Sequence, residues 1–301
     1  MKLKDIGEFG FIDRLKSKLK ADNSVVHSIG DDAAVIKYSR DEYLLFASDM
    51  LIENVHFKIS GQKDIFAKIG HKALACNISD IASMGGVPKY AVISLGLPPD
   101  LDYKKALEFF SGAQKLAGKF GISIVGGDLS RSEKVIVDVS LIGIVKKKNL
   151  TLRSGARSGD IIFVTGPLGG SCSGKHLTFT PRLKQAQYII KKYKINSMID
   201  ISDGLAGDLW QIIKSSEKGA MLFKELLPIT PGARSIKAAL YEGEDFELLF
   251  TVSVKMAEKI TKDKKLKVYA IGEILENRKI FDLVNKKGRR RKLKPGGYEH
   301  F

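Results

Sequence analysis

Residues 64–84, DIFAKIGHKALACNISDIASM, place apolar side chains at helical spacing, and those side chains are unusually small: Ala67, Gly70, Ala73, Ala75 and Ala82. A helix this thin can lie closer to a sheet or to a second helix than one flanked by bulky residues. It predicts close packing against neighbouring elements in the first half of the chain.

Strand-like runs surround it: AAVIKY (33–38), YLLFAS (43–48), KYAVISLGL (89–97), ISIVGGD (122–128) and KVIVDVSLIGIV (134–145). Pro98-Pro99 stops the third of these, and helical spacing follows over 102–120 with Gly121 as its C-cap. A further amphipathic stretch covers 8–20. After a boundary at 146–149 come strands at 161–167, 246–252 and 268–274, helices near 182–193 and 254–262, and IDISDGLAGDLWQIIKSS (199–216), a strand end turning into a helix. Alternating strands and helices in both halves of 301 residues predict an α/β (α+β) chain of two domains, 1–147 and 148–301.

Composition excludes several classes. Hydrophobic residues at 44% leave enough apolar surface for a core, and no apolar run reaches the ~20 residues of a membrane span. The basic N-terminus MKLKDIGEFGF lacks the apolar core of a signal peptide, and Cys76 and Cys172 form no metal-ligand spacing, so a reduced, cytoplasmic setting is expected. A net charge of +16 raises the alternative of a nucleic-acid partner. The one dense basic block, KKGRRRKLK (286–294), has no interleaved aromatics, so that partner is disfavoured.

Within this basic chain the aspartates collect in five short segments: GDDAAV (30–35), SDM (48–50), NISDIASMGG (77–86), GGDLSR (126–131) and IDISDGLAGD (199–208). Asp beside Gly is also common turn and cap chemistry, so one such segment means little. Five of them, several following apolar strands, suggest convergence on one cleft, where carboxylates hold hard cations that also bind phosphate. Phosphoryl transfer or nucleotide binding is the chemistry expected. No complete Walker A loop is present; GGSCSGK (169–175) is followed by His176 where the motif needs Ser or Thr, and it reads as a flexible loop. Kinase HRD and DFG, GxSxG and HExxH motifs are absent too.

In order, GEFGFIDRL, GDDAAV, SDMLIENVHF, HKALACNISDIASMG, GLP, GGDLSR, TLRSGARSGD, VTGPLGG, IDISDGLAGDL, GEDFELLF and GGYEHF resemble the thiamine-monophosphate kinase family over residues 7–301. The wider superfamily includes aminoimidazole ribonucleotide synthetase, selenide water dikinase and HypE; the VHF, GEDFELLF and GYEHF segments resemble the thiamine enzymes specifically. The resemblance implies a PurM-like fold, with an N-terminal ferredoxin-like domain that dimerises and a C-terminal α+β sandwich. It implies ATP and several Mg²⁺ ions acting on thiamine monophosphate by direct in-line transfer, with no side-chain nucleophile. Cations fall to Asp32, Ser48, Asp49, Asp80, Asp128, Asp200 and Asp203, with Asp31 fixing the turn. ATP falls to Phe110, Gly127, Asp128, Arg153 and Ser202, and the thiamine substrate to His56, Glu244 and Tyr298. For Phe110 core packing is the competing role, and for Tyr298 a packed anchor. The chain departs from the family pattern between Gly170 and Thr180, where it is short, and at Ala47 and Ser48 before Asp49.

Overall fold

The computed structural model describes residues 2–59, 61–171, 174–233, 235–298 and 300. The expectation for Cys172 lies outside the described residues; Cys76 is buried and unpaired.

A six-stranded sheet forms from β1 (Val25–His27), β2 (Ala34–Lys37), β3 (Glu42–Ile52), β4 (Val87–Leu97), β5 (Ser123–Arg131) and β6 (Ile136–Lys146), in the order β1-β2-β3-β6-β4-β5. All neighbours are antiparallel except β4 and β5. Strand β6 buries every second residue, so one face of the sheet is dry. Helices α2 (Ile65–Ser83) and α3 (Tyr103–Phe120) cover that face, and α1 (Gly7–Lys18) precedes the sheet. Asp102 caps α3 by accepting from the Lys104 amide, and Gly121 ends it at φ 69°.

The thin helix is thin for a reason. A Cβ built on Gly70 would stand 2.0 Å from the carbonyl oxygen of Phe109, and one on Gly112 would stand 1.9 Å from that of Ala67. Backbones of α2 and α3 therefore touch, and only glycine fits at the crossing.

The second sheet has seven strands: β7 (Ile161–Val164), β8 (Ser197–Asp200), β9 (Gly219–Phe223), β10 (Leu248–Val252), β11 (Tyr269–Leu275), β12 (Phe281–Val284) and β13 (Arg290–Lys292), ordered β13-β12-β9-β11-β7-β10-β8. Helices α4 (Leu183–Lys192), α5 (Leu205–Ser216), α6 (Ile236–Tyr241) and α7 (Val254–Thr261) complete it. Strand β10 is buried at every position because both its faces are covered. Leu248, Phe250 and Val252 join a core shared with α4, α7 and the first half, whereas Leu249 joins the core under α5 and α6.

Five elements escape the sequence reading: β1, β9, α6, β12 and β13. The basic block 286–294 supplies β13, whose three residues are exposed on an edge. Lys and Arg on an edge strand oppose pairing with another chain. No described helix is long and apolar enough to cross a membrane.

Candidate active site

Four of the five acidic segments meet where α2 runs beneath the first sheet towards the second. Asp32 lies just before β2, Asp49 on β3, Asp80 in the last turns of α2 and Asp200 at the end of β8. Their charges act on one another. Burial pushes Asp49 up to about 6, with Asp138 and Asp32 adding to the rise and a hydrogen bond from Asp80 opposing it. Asp80 rises well above the carboxylate range, through burial and then through Asp49, Asp200 and Asp32. Asp200 rises as well, through burial and then Asp32, against a 2.6 Å bond donated by the Ser79 hydroxyl. Burial and then Asp32 raise Asp31 to about 7. Its carboxylate accepts from the Arg153 amide at 3.2 Å and from the adjacent Asp32 amide at 3.3 Å.

Asp32 is held differently. Its carboxylate is 1% exposed and takes two bonds from the Arg153 guanidinium, at 2.9 and 2.6 Å, and one from the Ser83 hydroxyl. Arg153, expected on phosphates, is thus bound to a carboxylate expected on a cation. The remaining placements vary. Ser48 turns its hydroxyl to Asp138 and Ser140 at 3.2 Å, on a strand position alternating with that of Asp49. Asp203 and Ser202 lie in the turn before α5; the Asp203 amide donates to buried Asp208 at 3.2 Å. Asp128 is exposed on edge strand β5, where Ser130 donates to it at 3.1 Å. Gly127 beside it has φ 159°, and a Cβ there would meet the Ile93 carbonyl at 1.7 Å. Phe110 is half-buried against the first core, edge-on to Phe109.

A cavity of about 620 Å³ opens from this cluster. Ser48, Asp49, Asp80, Ser202 and Asp203 line it together with His56, Glu244 and Tyr298, so cation and substrate candidates share one hollow. Gly243, Glu244 and Phe246 have φ of 69°, 56° and 49°, a conformation seldom taken by non-glycine residues. It directs Glu244 to Lys72, a fully buried lysine on α2 that also donates to the His56 carbonyl at 2.8 Å. The Ile52 amide donates to His56 Nδ1 at 3.0 Å, so the proton of the neutral ring sits on Nε2. Burial, then His300 and Lys72, hold the His56 pKa below its ordinary value. Tyr298 meets His300 edge-on at 5.0 Å, and its amide donates to the Asp203 carbonyl at 3.0 Å.

Sequence reasoning missed Lys72, Asp208, Asp245, Glu247 and His176. Asp245 takes the Gly169 and Gly170 amides at 2.7 and 3.1 Å, so the N–H groups a phosphate loop would offer are already bound. Buried Glu247 gathers Thr165, Lys175 and Arg182 at 2.8, 3.2 and 2.6 Å. The segment expected as a flexible loop is, where described, tied down at both ends.

The donor set suits a hard divalent ion. Asp49, Asp80 and Asp200 are all carboxylates raised by burial, and the charge of Asp32 adds to the rise at each. Among the described residues no three acidic, His or Cys groups already surround one point. Mg²⁺ commonly takes one or two carboxylates and completes its shell with phosphate and water, so ions arriving with a nucleotide fit.

Fold and cleft together define a class. The family described as AIR synthase related protein, N-terminal domain, matches residues 30–145, over most of the first sheet. The thiamine-monophosphate kinase of Aquifex aeolicus is 34% identical over all of both chains, and that of Bacillus subtilis 32% identical over 98% of this chain and 99% of its own. A solved structure, AaThiL complexed with AMPPCP and TMP, superposes with a TM-score of 0.86 at 33% identity, covering 100% of this chain and 99% of that one. The chain belongs to the thiamine-monophosphate kinase family, and it has the PurM-like fold of that family.

Proposed function

We propose that this chain transfers the γ-phosphoryl group of ATP to the phosphate of thiamine monophosphate, giving ADP and thiamine diphosphate. One observation carries the reading: the carboxylates Asp49 and Asp80 share a cavity with Glu244, His56 and Tyr298. Asp49 and Asp80 suit cations and phosphates, and Glu244 and Tyr298 offer a carboxylate and an aromatic ring to a cationic thiazolium. The AaThiL structure, holding an ATP analogue together with TMP, supports the same pairing of ligands.

An acceptor phosphate is already an anionic oxygen nucleophile at neutral pH, so the reaction needs no side-chain base. The acceptor oxygen attacks the γ-phosphorus in line, the bond from that phosphorus to the bridging oxygen breaks, and ADP leaves. Mg²⁺ ions held by Asp32, Asp49, Asp80, Asp128, Asp200 and Asp203 would neutralise the two polyanions. Arg153 exchanges its Asp32 partner for the phosphates of ATP. Ser202, Gly127 and the half-exposed ring of Phe110 attend the nucleotide, and Glu244, His56 and Tyr298 hold the thiamine moiety. Ser48 contributes through its backbone, since its hydroxyl is engaged by Asp138 and Ser140. In this reading residues 1–147 and 148–301 are two domains, with the cleft between them.

Incubation with ATP, Mg²⁺ and thiamine monophosphate is expected to yield thiamine diphosphate and ADP in equal amounts, and chelator is expected to stop the reaction. ADP release that responds to a different acceptor, with no thiamine diphosphate, overturns the assignment in favour of a sister activity.

The protein works as a homodimer through the outward face of the first sheet, where Phe46, Met50, Tyr90 and Val92 are exposed. Sedimentation velocity is expected to show a two-chain particle that Met50→Lys dissociates. A wild-type monomer at micromolar concentration contradicts it.

A further inference from the structure

Residues 174–178 help to wall the cavity and the hollow beside it. Residues Lys175–Leu177 form one 3₁₀ turn. Lys175 bonds Glu247 at 3.2 Å and the Pro167 carbonyl at 3.3 Å. On the other side Phe179 stacks on Phe246 at 4.0 Å and 6°, and its carbonyl meets His71 Nε2 at 2.7 Å. Between these anchors stands His176, which lines the 620 Å³ cavity and also a second hollow of about 720 Å³ beside it.

The hydrogen bonding of His176 fixes what it can offer. Nδ1 lies 2.8 Å from the Ser171 carbonyl, an acceptor only, so Nδ1 carries a hydrogen. In the neutral ring Nε2 is then a lone-pair acceptor, and it has no protein partner among the described residues. His56, on the same cavity, is arranged the other way round: its Nδ1 accepts from Ile52, and its Nε2–H is a donor. The cavity therefore presents one imidazole donor and one imidazole acceptor. An aminopyrimidine presents the complement, a ring nitrogen that accepts beside an exocyclic amino group that donates.

We infer that His176 is a specificity-determining residue for the acceptor: its Nε2 accepts a hydrogen bond from the exocyclic amino group of the substrate's aminopyrimidine, while His56 Nε2–H donates to the adjacent ring nitrogen. The inference rests on the acceptor being thiamine monophosphate and adds the recognition of its second ring.

The test compares thiamine monophosphate with oxythiamine monophosphate, in which a carbonyl replaces the amino group. Wild-type protein is expected to prefer the amino form by at least about tenfold in kcat/KM, because the oxo form turns an acceptor towards an acceptor. His176→Ala should raise KM for thiamine monophosphate roughly tenfold, with kcat and KM for ATP within about twofold, and should erase most of the preference. His176→Gln, which can offer an amide oxygen, should recover part of both. Equilibrium binding of each acceptor to the nucleotide-free variants should repeat the pattern, and it reads out even where turnover is impaired. Should His176→Ala lower the Tm, the Gln variant and the ratio between the two acceptors still decide, because loss of fold lowers both acceptors alike. Wild-type turnover with an unchanged preference in His176→Ala overturns the inference alone. Absence of thiamine diphosphate from the wild-type protein removes the underlying reading and the inference together.

Discussion

Asp80→Asn is expected to lower kcat by about 10³-fold or more while making the chelator-treated protein harder to unfold. Both effects have one origin. Asp80 stands among Asp49, Asp200 and Asp32, and its carboxyl is raised well above the usual range. A carboxyl whose pKa is higher folded than unfolded binds more protons in the folded state. Stability is then lost as pH rises from the unfolded value, about 4, through the folded one. Asp49, at about 6, and Asp31, at about 7, place most of their loss between roughly pH 4 and pH 7. Asparagine at 80 has no proton to lose and relieves its neighbours. The variant's Tm in chelator should therefore exceed the wild-type value at about pH 8, by on the order of 3 °C for each kcal/mol relieved, and converge with it near pH 4. Saturating Mg²⁺ and ATP should reverse the order by stabilising only the protein able to bind them. Calorimetry across pH together with steady-state kinetics checks each part. A variant that retains wild-type kcat removes Asp80 from the chemistry.

Gly70→Val is expected to destabilise the protein by about 3 kcal/mol, at the upper end for overpacking, because the clash is with main chain rather than with a side chain able to swing aside. The first added carbon already falls 2.0 Å from the Phe109 carbonyl oxygen. Helix α2 would have to lift from α3, carrying Lys72, Ser79, Asp80 and Ser83 away from Glu244, Asp200 and Asp32. Urea unfolding should show a lower midpoint, and activity measured well below that midpoint should fall as well. An unchanged midpoint would mean that the two helices can separate freely. Gly118→Val, on the same helix as Gly112 but with nothing within 4 Å of its Cβ position, is the control.

Much of this arrangement is legible in the sequence, for identifiable reasons. Long elements with a clean period announce themselves: α2, α3, β3, β4 and β6 are close to where spacing, Pro98 and Gly121 put them. Strands of three to five residues such as β1, β9 and β13 are too short to show a period, and β13 has no apolar side chain to reveal it. The carboxylate segments are readable because Asp clustered beside Gly and Ser stands out in a basic chain. Lys72 was not, because lysine is normally solvent-exposed and only the completed fold supplies Glu244 and the His56 carbonyl. A signal was nevertheless available: Lys72, Cys76, Ser79, Asp80 and Ser83 form a polar stripe at helical spacing on an otherwise apolar, small-sided helix. His176 depends on a turn whose place is set by Glu247, more than seventy residues further along the chain, and no local pattern reports such a contact.

One rod of nineteen residues, α2, thus touches the partners that matter from both sides of the molecule: Asp32 through Ser83, Asp200 through Ser79 and Glu244 through Lys72. Chimaeras that graft the later portion of a relative onto this chain after β6 inherit that restriction. The recipient helix must find a carboxylate for its serine and another for its lysine at matching heights, or the joint hydrophobic layer closes over an uncompensated ammonium group. Modular exchange between members of the family is therefore limited by a single helix more than by either sheet.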